Sequence, residues 1–287
     1  MNPKDTYFSV NHTLNCGGSL LDLSVPVVMG IINITPDSFY KDSRTLLADE
    51  AVKRAEKHLE EGAAILDIGA FSSRPGATFI SEEEEKKRLD PVLNAIRKKY
   101  PSALISIDTF RSSIASWAHK EYRINMINDI SAGEMDTHMF DTMASLQIPY
   151  IIMHMQGQPE NMQVNPHYEN IIAELLLFFS QKIHALRRAG VKDIVIDPGF
   201  GFGKTLEHNY QLVRYLELFR MTGCPVMAGF SRKSMIYRLL GTSPEEALNG
   251  TTVLNTIALL KGISILRVHD VKEAVEAIKI LSCMKTS

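Results

Sequence analysis

The segment Ile194-Val195-Ile196-Asp197-Pro198-Gly199-Phe200-Gly201-Phe202-Gly203-Lys204-Thr205 passes from buried scaffold to accessible chemistry. Its β-branched residues read as a strand that ends on Asp197, and glycines at 199, 201 and 203 follow. A carboxylate therefore stands where a strand opens into a turn that a ligand can approach. The closing Gly-Lys-Thr invites a P-loop reading. The position that motif reserves for its first glycine, however, holds Pro198, which also removes a backbone N–H from any phosphate cradle. An ordinary glycine turn is the plain alternative.

Outward from this stretch one pattern repeats from Val27 onward: a short apolar run, a loop, a helical segment. The runs span 27–32, 64–68, 103–107, 125–127, 150–153, 194–196, 226–228 and 264–268. Eight strand-then-helix units without a break in composition predict an α/β fold, a single (β/α)8 TIM barrel. A doubly wound sheet competes less well. It seldom needs eight successive parallel strands, and its nucleotide-binding form carries Gly-x-Gly-x-x-Gly after the first strand, where this chain has Asn33-Ile34-Thr35-Pro36-Asp37. Residues 6–24 alternate apolar and polar about Asn15-Cys16-Gly17-Gly18 and predict a β-hairpin that precedes the main domain and plugs or covers something. The expected division is a hairpin extension over 1–26 and a barrel over 27–287.

The 287 residues carry 31 basic and 33 acidic side chains, interspersed, for a formal charge of −2. No nucleic-acid or membrane-surface partner held by bulk charge is expected, whereas a small charged ligand is compatible. Cys16, Cys224 and Cys283 are widely spaced and outside any metal-ligand pattern, which fits a reduced, cytoplasmic protein. The N-terminus has no basic stretch leading into an apolar one, so no secretory leader is expected, and no apolar run approaches the ~20 residues of a membrane span. Ser81 with Glu84, Ser243 with Glu246 behind Pro244, and Asp270 with Glu273 read as capping boxes; Gly62 and Gly190 read as C-caps. The charge run from Glu82 to Arg88 resolves into the pairs Glu82/Lys86, Glu83/Lys87 and Glu84/Arg88 at i,i+4, a solvated helix face without a functional role.

A barrel of this kind carries its chemistry at the C-terminal ends of its strands. The strand ends here are Asn33, the run Ser72-Ser73-Arg74-Pro75-Gly76, Asp108, Asn128, His154, Asp197, the run Ser231-Arg232-Lys233-Ser234, and Arg267 with His269. Singly, each has a plain reading: Asn128 and Asp129 as turn residues, Asp108 and Asp197 as helix caps, His154 as a satisfied semi-buried histidine. Together they predict a convergent site. Carboxylates and a carboxamide suit a planar heterocycle with an amidine-like edge, and Lys233, Arg267, His269 and Arg74 suit an anion such as a phosphate.

These residues give the chain a strong resemblance to the dihydropteroate synthase family of folate biosynthesis. It is carried by Met29-Gly30-Ile31-Ile32-Asn33-Ile34-Thr35-Pro36-Asp37-Ser38-Phe39, Ser73-Arg74-Pro75-Gly76-Ala77, Ser106-Ile107-Asp108-Thr109, Asn128-Asp129-Ile130, Met153-His154-Met155, the glycine turn from Asp197 to Thr205, Ser231-Arg232-Lys233-Ser234 and Arg267-Val268-His269-Asp270, in the family's order. The resemblance implies condensation of 6-hydroxymethyl-7,8-dihydropterin diphosphate with 4-aminobenzoate, releasing pyrophosphate. By the same resemblance Asp108, Asn128, Asp197, Phe202, Gly229, Lys233 and Arg267 hold the pterin; Asn33, Ser73, Arg267 and His269 hold the diphosphate; Asn33 is the ligand of a Mg²⁺ cofactor. Ser73, Arg74, Pro75, Phe202, Lys233 and Ser234 border the aminobenzoate, where sulfonamides bind in this family. The implied catalytic set is Lys233, Asp108, Arg267 and Asp37, with Asp37–Phe39 and Ser73–Pro75 on two loops that close over the site.

Departures are local. Lys41-Asp42-Ser43 stands where many members have Asp-Gly-Gly, and Ser73 replaces a frequent threonine. The rival enzyme reading is a pterin-binding barrel that passes a methyl group to a corrinoid; a non-catalytic pterin-binding paralogue and a Schiff-base aldolase using Lys233 complete the alternatives. A homodimer is the family expectation, and the apolar stretch from Ala247 to Leu260 is a candidate interface.

Overall fold

A computed structural model of the chain describes residues 11–34, 44–71, 80–157 and 161–286. A two-stranded antiparallel hairpin, β1 (Thr13–Cys16) and β2 (Ser19–Asp22), comes first. Then strand and helix alternate: β3 (Val27–Asn33), α1 (Arg44–Glu60), β4 (Ile65–Gly69), α2 (Glu82–Lys99), β5 (Leu104–Asp108), α3 (Ser112–Tyr122), β6 (Met126–Asp129), α4 (Met139–Leu146), β7 (Tyr150–Met153), α5 (Ile171–Ala189), β8 (Ile194–Asp197) and α6 (Leu206–Arg214). A 3₁₀ turn at Leu216–Thr222 leads to β9 (Met227–Ala228), the helix pair α7 (Ser234–Leu240) and α8 (Leu248–Leu260), then β10 (Ile265–Val268) and α9 (Val271–Thr286). Every pairing in the eight-stranded sheet is parallel, in the order β8-β7-β6-β5-β4-β3-β10-β9. The ring closes where Val226 bridges Ile196 of β8 and Ile196 N donates to Pro225 O at 3.0 Å. The predicted barrel is the observed one.

Strand side chains alternate between faces, and this sorts the sequence. Val28, Leu66, Ile105, Ile127, Ile152, Ile196 and Leu266 point outward into the core shared with the helices. Met29, Ile65, Met126, Ile151, Val195, Met227 and Ile265 point inward and form one apolar cluster with Leu14, Cys16 and Leu23 of the hairpin. The hairpin therefore plugs the N-terminal end of the barrel. Its turn is Gly17-Gly18, with φ of +70° and +97°, the left-handed pair that a two-residue hairpin loop requires, and Asn15 Oδ1 accepts from Gly18 N at 2.7 Å. Asn125 Nδ2 ties the plug to the barrel through Cys16 O at 3.0 Å. Burial pushes the Cys16 thiol up to about 12, so it stays protonated and inert. Since Leu14 is fully buried, Leu14→Ala is expected to cost roughly 2–5 kcal/mol in urea unfolding while leaving kcat unchanged, because the plug lies at the end of the barrel opposite the strand C-termini.

Capping was partly legible. Ser81 caps α2 by accepting from Glu84 N at 3.2 Å, but the Glu84 carboxylate turns to Arg88 at 2.7 Å instead of closing the box. Of the three i,i+4 pairs read from the sequence, Glu84/Arg88 is the one formed among the described residues; Lys87 lies 3.6 Å from Glu84, and Lys86 stands over the Trp117 ring. Gly190 ends α5 in the left-handed conformation, as expected. Ser243 does not start a helix. The chain first makes a turn through Pro244, Ser243 N reaches Glu246 only at 3.4 Å, and α8 begins at Leu248. Thr205 caps α6 in a box with His208, a pairing the Glu/Gln pattern misses because the third residue is histidine.

Candidate active site

Above the apolar inner layer, the same alternation brings Asp67, Ser106, Asp108, Asn128, Asp197, Gly229 and Arg267 to the inside of the C-terminal half of the barrel. Arg267 is the centre of this layer. Its Nε donates to Asp67 Oδ2 at 2.7 Å and its Nη2 to Asp108 Oδ2 at 2.8 Å, while Asn128 Nδ2 donates to the same Asp67 oxygen at 3.1 Å. Asp67 is fully buried. Asp67 Oδ1, Asp108 Oδ1 and Ser106 Oγ are buried without a hydrogen-bond partner among the described residues. Unpaired buried acceptors are costly in a folded chain, and three at one barrel mouth mark a place built for an incoming donor-rich group.

Burial sets the electrostatics of this group. Desolvation pushes Asp108 up to about 7, with the neighbouring Asp67 adding to the rise and Arg267 opposing it. Asp197 is raised by burial against the pull of Lys233, and its Oδ1 accepts from Gly199 N at 2.8 Å. Lys233, the residue before α7, is brought down to about 8 by burial against the pull of Asp197. Its Nζ donates to Phe200 O at 2.5 Å and lies 4.7 Å from the centre of the Phe202 ring. Phe202 packs with Phe71, Phe110, Ile130 and Met153 in an apolar rim beside the charged cluster. A Cβ at Gly229 would stand 3.8 Å from Lys233 Nζ and 3.6 Å from Arg267 O, narrowing the space between the two cations.

The remaining predicted residues fall as follows. Asn33 ends β3, level with Gly69 of β4. His269, exposed at the rim, contacts Ser231 Oγ through Nδ1 at 3.0 Å and its backbone N at 3.2 Å. Ser234 opens α7 next to Lys233. Asp37, Ser73, Arg74 and Pro75 lie outside the described residues. Two strand-end groups do not join the site, because alternation turns them outward. Asp129 accepts from Tyr150 Oη, Ser131 N, Ser131 Oγ and Gly133 N, all within 2.8 Å, and organises its own turn. His154 is buried edge-on against Phe178, with ring centres 4.9 Å apart, and desolvation, aided by the charge on Lys204, brings it down to about 2. Lys204 Nζ in turn lies 3.2 Å from His154 Nδ1 and donates to His154 O and Phe202 O at 3.1 and 2.8 Å. The lysine of the Gly-Lys-Thr is thus a buried brace, consistent with rejection of the P-loop.

Comparison with known proteins decides the family. The family model described as pterin binding enzyme matches residues 29–269. A dihydropteroate synthase of Haemophilus influenzae is 42% identical over 269 residues, covering 93% of this chain and 97% of the relative. The chain belongs to the dihydropteroate synthase family. Among solved structures, the Yersinia pestis dihydropteroate synthase in a sulfonamide drug complex superposes with a TM-score of 0.90 at 38% identity, over 96% of this chain and all of that one. The Xanthomonas albilineans enzyme with 4-aminobenzoic acid gives 0.89 at 37% identity, over 97% and 100%. A dihydropteroate synthase fold therefore frames the cluster around Arg267.

In this member the sequence reading overlooked Asp67 and Ser106. Both sit inside apolar strands and not at strand ends; a carboxylate at an inward position of Ile65-Leu66-Asp67-Ile68 is the signal the sequence offers. A cleft of about 480 Å³ lies at the opposite end of the barrel, lined by Leu23, Pro26, Arg220 and Gly262 among others. Its Glu217 and Lys261 are engaged with each other at 2.6 Å, and it holds nothing comparable to the carboxylate cluster at the mouth.

Proposed function

We propose that this chain condenses 6-hydroxymethyl-7,8-dihydropterin diphosphate with 4-aminobenzoate to give 7,8-dihydropteroate and pyrophosphate. The observation that carries the reading is the set of buried acceptors on Asp67, Asp108 and Ser106 with Asn128 and Asp197 beside them. A pterin presents amino and ring N–H donors along one edge, which matches this lining. Asp108, Asn128, Asp197 and Lys233 hold that edge, and Arg267 and Phe202 cover the ring faces. Arg267 and His269 neutralise the diphosphate. Lys233 and Ser234 border the aminobenzoate, a role supported by the 4-aminobenzoic acid bound to the Xanthomonas albilineans relative. Asp37, Ser73, Arg74 and Pro75, outside the described residues, complete the proposed set.

The reaction needs no nucleophilic side chain. Loss of diphosphate leaves a pterin-stabilised carbocation, and the buried carboxylates Asp108 and Asp197 keep negative potential near it while the rim cations compensate the leaving group. The aromatic amine is largely unprotonated near pH 7 and attacks directly. Mg²⁺ would be held by the Asn33 carboxamide at the end of β3, a hard oxygen donor of the kind this ion takes. When bound, it supplies positive charge to the leaving group.

A homodimer is part of the reading. Val253 and Leu260 of α8 and Leu239 and Leu240 of α7 are large apolar side chains at least half exposed, which suits burial against a second copy. A cytoplasmic site of action is consistent with three cysteines outside disulfides and with no helix among the described residues long and apolar enough to cross a membrane.

The site's charges predict a bell-shaped pH profile. kcat/KM for the pterin diphosphate is expected to rise as Asp108 ionises near pH 7 and to fall as Lys233 loses its proton near pH 8. Asp108→Asn should remove the acid limb and leave the alkaline one. An acid limb that survives in this variant assigns it to another group.

A further inference from the structure

The run Ser231-Arg232-Lys233-Ser234 leads from the loop after β9 into the first residue of α7, and the run Arg267-Val268-His269-Asp270 leads from the end of β10 to the residue before α9. The proposed function uses Lys233 and Ser234 from the first and Arg267 and His269 from the second. Between them the two segments are joined twice. Ser231 Oγ contacts His269 through its backbone N and its Nδ1, at 3.2 and 3.0 Å. One residue further on, Arg232 grips Asp270 with both arms: Nε to Oδ2 and Nη2 to Oδ1, each 2.9 Å. This bidentate fork fixes orientation as well as distance.

Arg232 is held from other sides too. Its Nη1 donates to Pro244 O and Glu245 O at 3.1 and 2.9 Å, and its backbone N donates to Thr251 Oγ1 at 3.1 Å, so the turn before α8 and α8 itself are clamped to the same point. Its backbone adopts φ +55°, the left-handed region. Arg123 and Gln147 share that sign of φ because they close helices. Arg232 is instead the third residue of a turn closed by Lys233 N donating to Phe230 O at 3.0 Å, and this reversal, with the guanidinium anchored beside it, aims Lys233 back toward Phe200 O and the barrel axis.

We infer that the Arg232–Asp270 pair is a positioning device: it holds the Lys233/Ser234 segment in register with the Arg267/His269 segment, so that attacking amine and departing diphosphate are presented at one geometry. Neither residue of the pair touches substrate in this account. The inference rests on the proposed function for its kinetic test. Asp108, Asn128 and Asp197 stand on other strands, and Lys233 and Arg267, which also hold the pterin, keep their own bonds to Phe200 O and to Asp67 and Asp108, so pterin affinity depends on the pair less than the relative placement of the two reacting halves does.

Two single variants and their combination test this. Arg232→Gly removes the guanidinium and also relieves the left-handed backbone, so folding is retained; Asp270→Asn is nearly isosteric. In each, kcat is expected to fall about 30-fold with the pterin diphosphate Kd, by calorimetry, changed by less than about threefold. The double variant should be no worse than about threefold beyond either single one, since the same link is broken once. Arg232→Lys, which keeps the charge without the fork, should still lose about tenfold. Independently of activity, amide hydrogen exchange at 231–234 and 268–271 should quicken together in both single variants. Wild-type kcat in either variant, additive losses in the double variant, or exchange that changes on one segment alone overturns the positioning role. A wild-type protein that makes no pyrophosphate overturns the reaction instead, and the exchange measurement still decides the pair.

Discussion

Lys233→Ala is expected to lower kcat/KM for condensation about 10³-fold while the chain stays folded. The lysine precedes α7 without capping it, and its Nζ bonds only to the turn at the site, away from the helix and strand ladders, so melting should change little. Its ammonium carries three roles at once. It draws on the Asp197 carboxylate, which burial otherwise drives toward the neutral acid. It donates to Phe200 O at 2.5 Å, fixing the glycine turn, and it lies 4.7 Å from the centre of the Phe202 ring. Removing it leaves Asp197 more protonated and Phe202 without its cation, so pterin binding and the aminobenzoate wall suffer together. Lys233→Arg should not restore activity, because a planar fork cannot occupy the place of a compact ammonium. Steady-state pyrophosphate release with thermal unfolding of the same sample checks this; activity within tenfold of wild type, with the fold intact, contradicts it.

Arg267→Leu should damage stability as well as activity. The guanidinium joins Asp67 and Asp108, partners 200 and 159 residues away in sequence, and both carboxylates are almost wholly buried. Deleting the cation strands them, a loss of roughly 3–5 kcal/mol in denaturant unfolding. The loss should depend on pH with a definite sign. Asp108 already titrates near 7, above its unfolded value, because it is buried, and Arg267 is the group that holds it from rising further. In the variant Asp108 keeps its proton to higher pH, so the folded variant binds more protons than the folded wild type above about pH 7. The gap in stability therefore widens as pH rises through that value and narrows below it. Unfolding curves at pH 6 and pH 9 measure this; equal differences at the two pH values show that Arg267 does not govern Asp108.

Strand periodicity made the barrel legible, because eight apolar runs can be placed to within about two residues without knowing which way any side chain points. The site was harder. A one-residue uncertainty at a strand end reverses the face; Asp129 and His154, beside the strand ends, point outward, and their plain readings as a turn residue and a buried histidine hold. Asp67 was hidden by its neighbours: Ile65, Leu66 and Ile68 make the run look uniformly buried, and the arginine that explains the carboxylate lies on the last strand. Arg232 stands in the sequence only as part of the Ser231-Arg232-Lys233-Ser234 run, with no role of its own. Its fork to Asp270 is a contact across 38 residues, and Asp270 had already been explained by the start of α9. Long-range ion pairs of this kind leave no periodic trace in a sequence.

The central claim is that the barrel mouth joins a pterin to an arylamine with expulsion of diphosphate. The direct measurement mixes the purified full-length chain with 6-hydroxymethyl-7,8-dihydropterin diphosphate, Mg²⁺ and 4-aminobenzoate, and quantifies pyrophosphate and dihydropteroate together. Equal amounts of both, dependent on aminobenzoate, are predicted. Tight pterin diphosphate binding with neither product formed would contradict the synthase and leave a pterin-binding protein without catalysis.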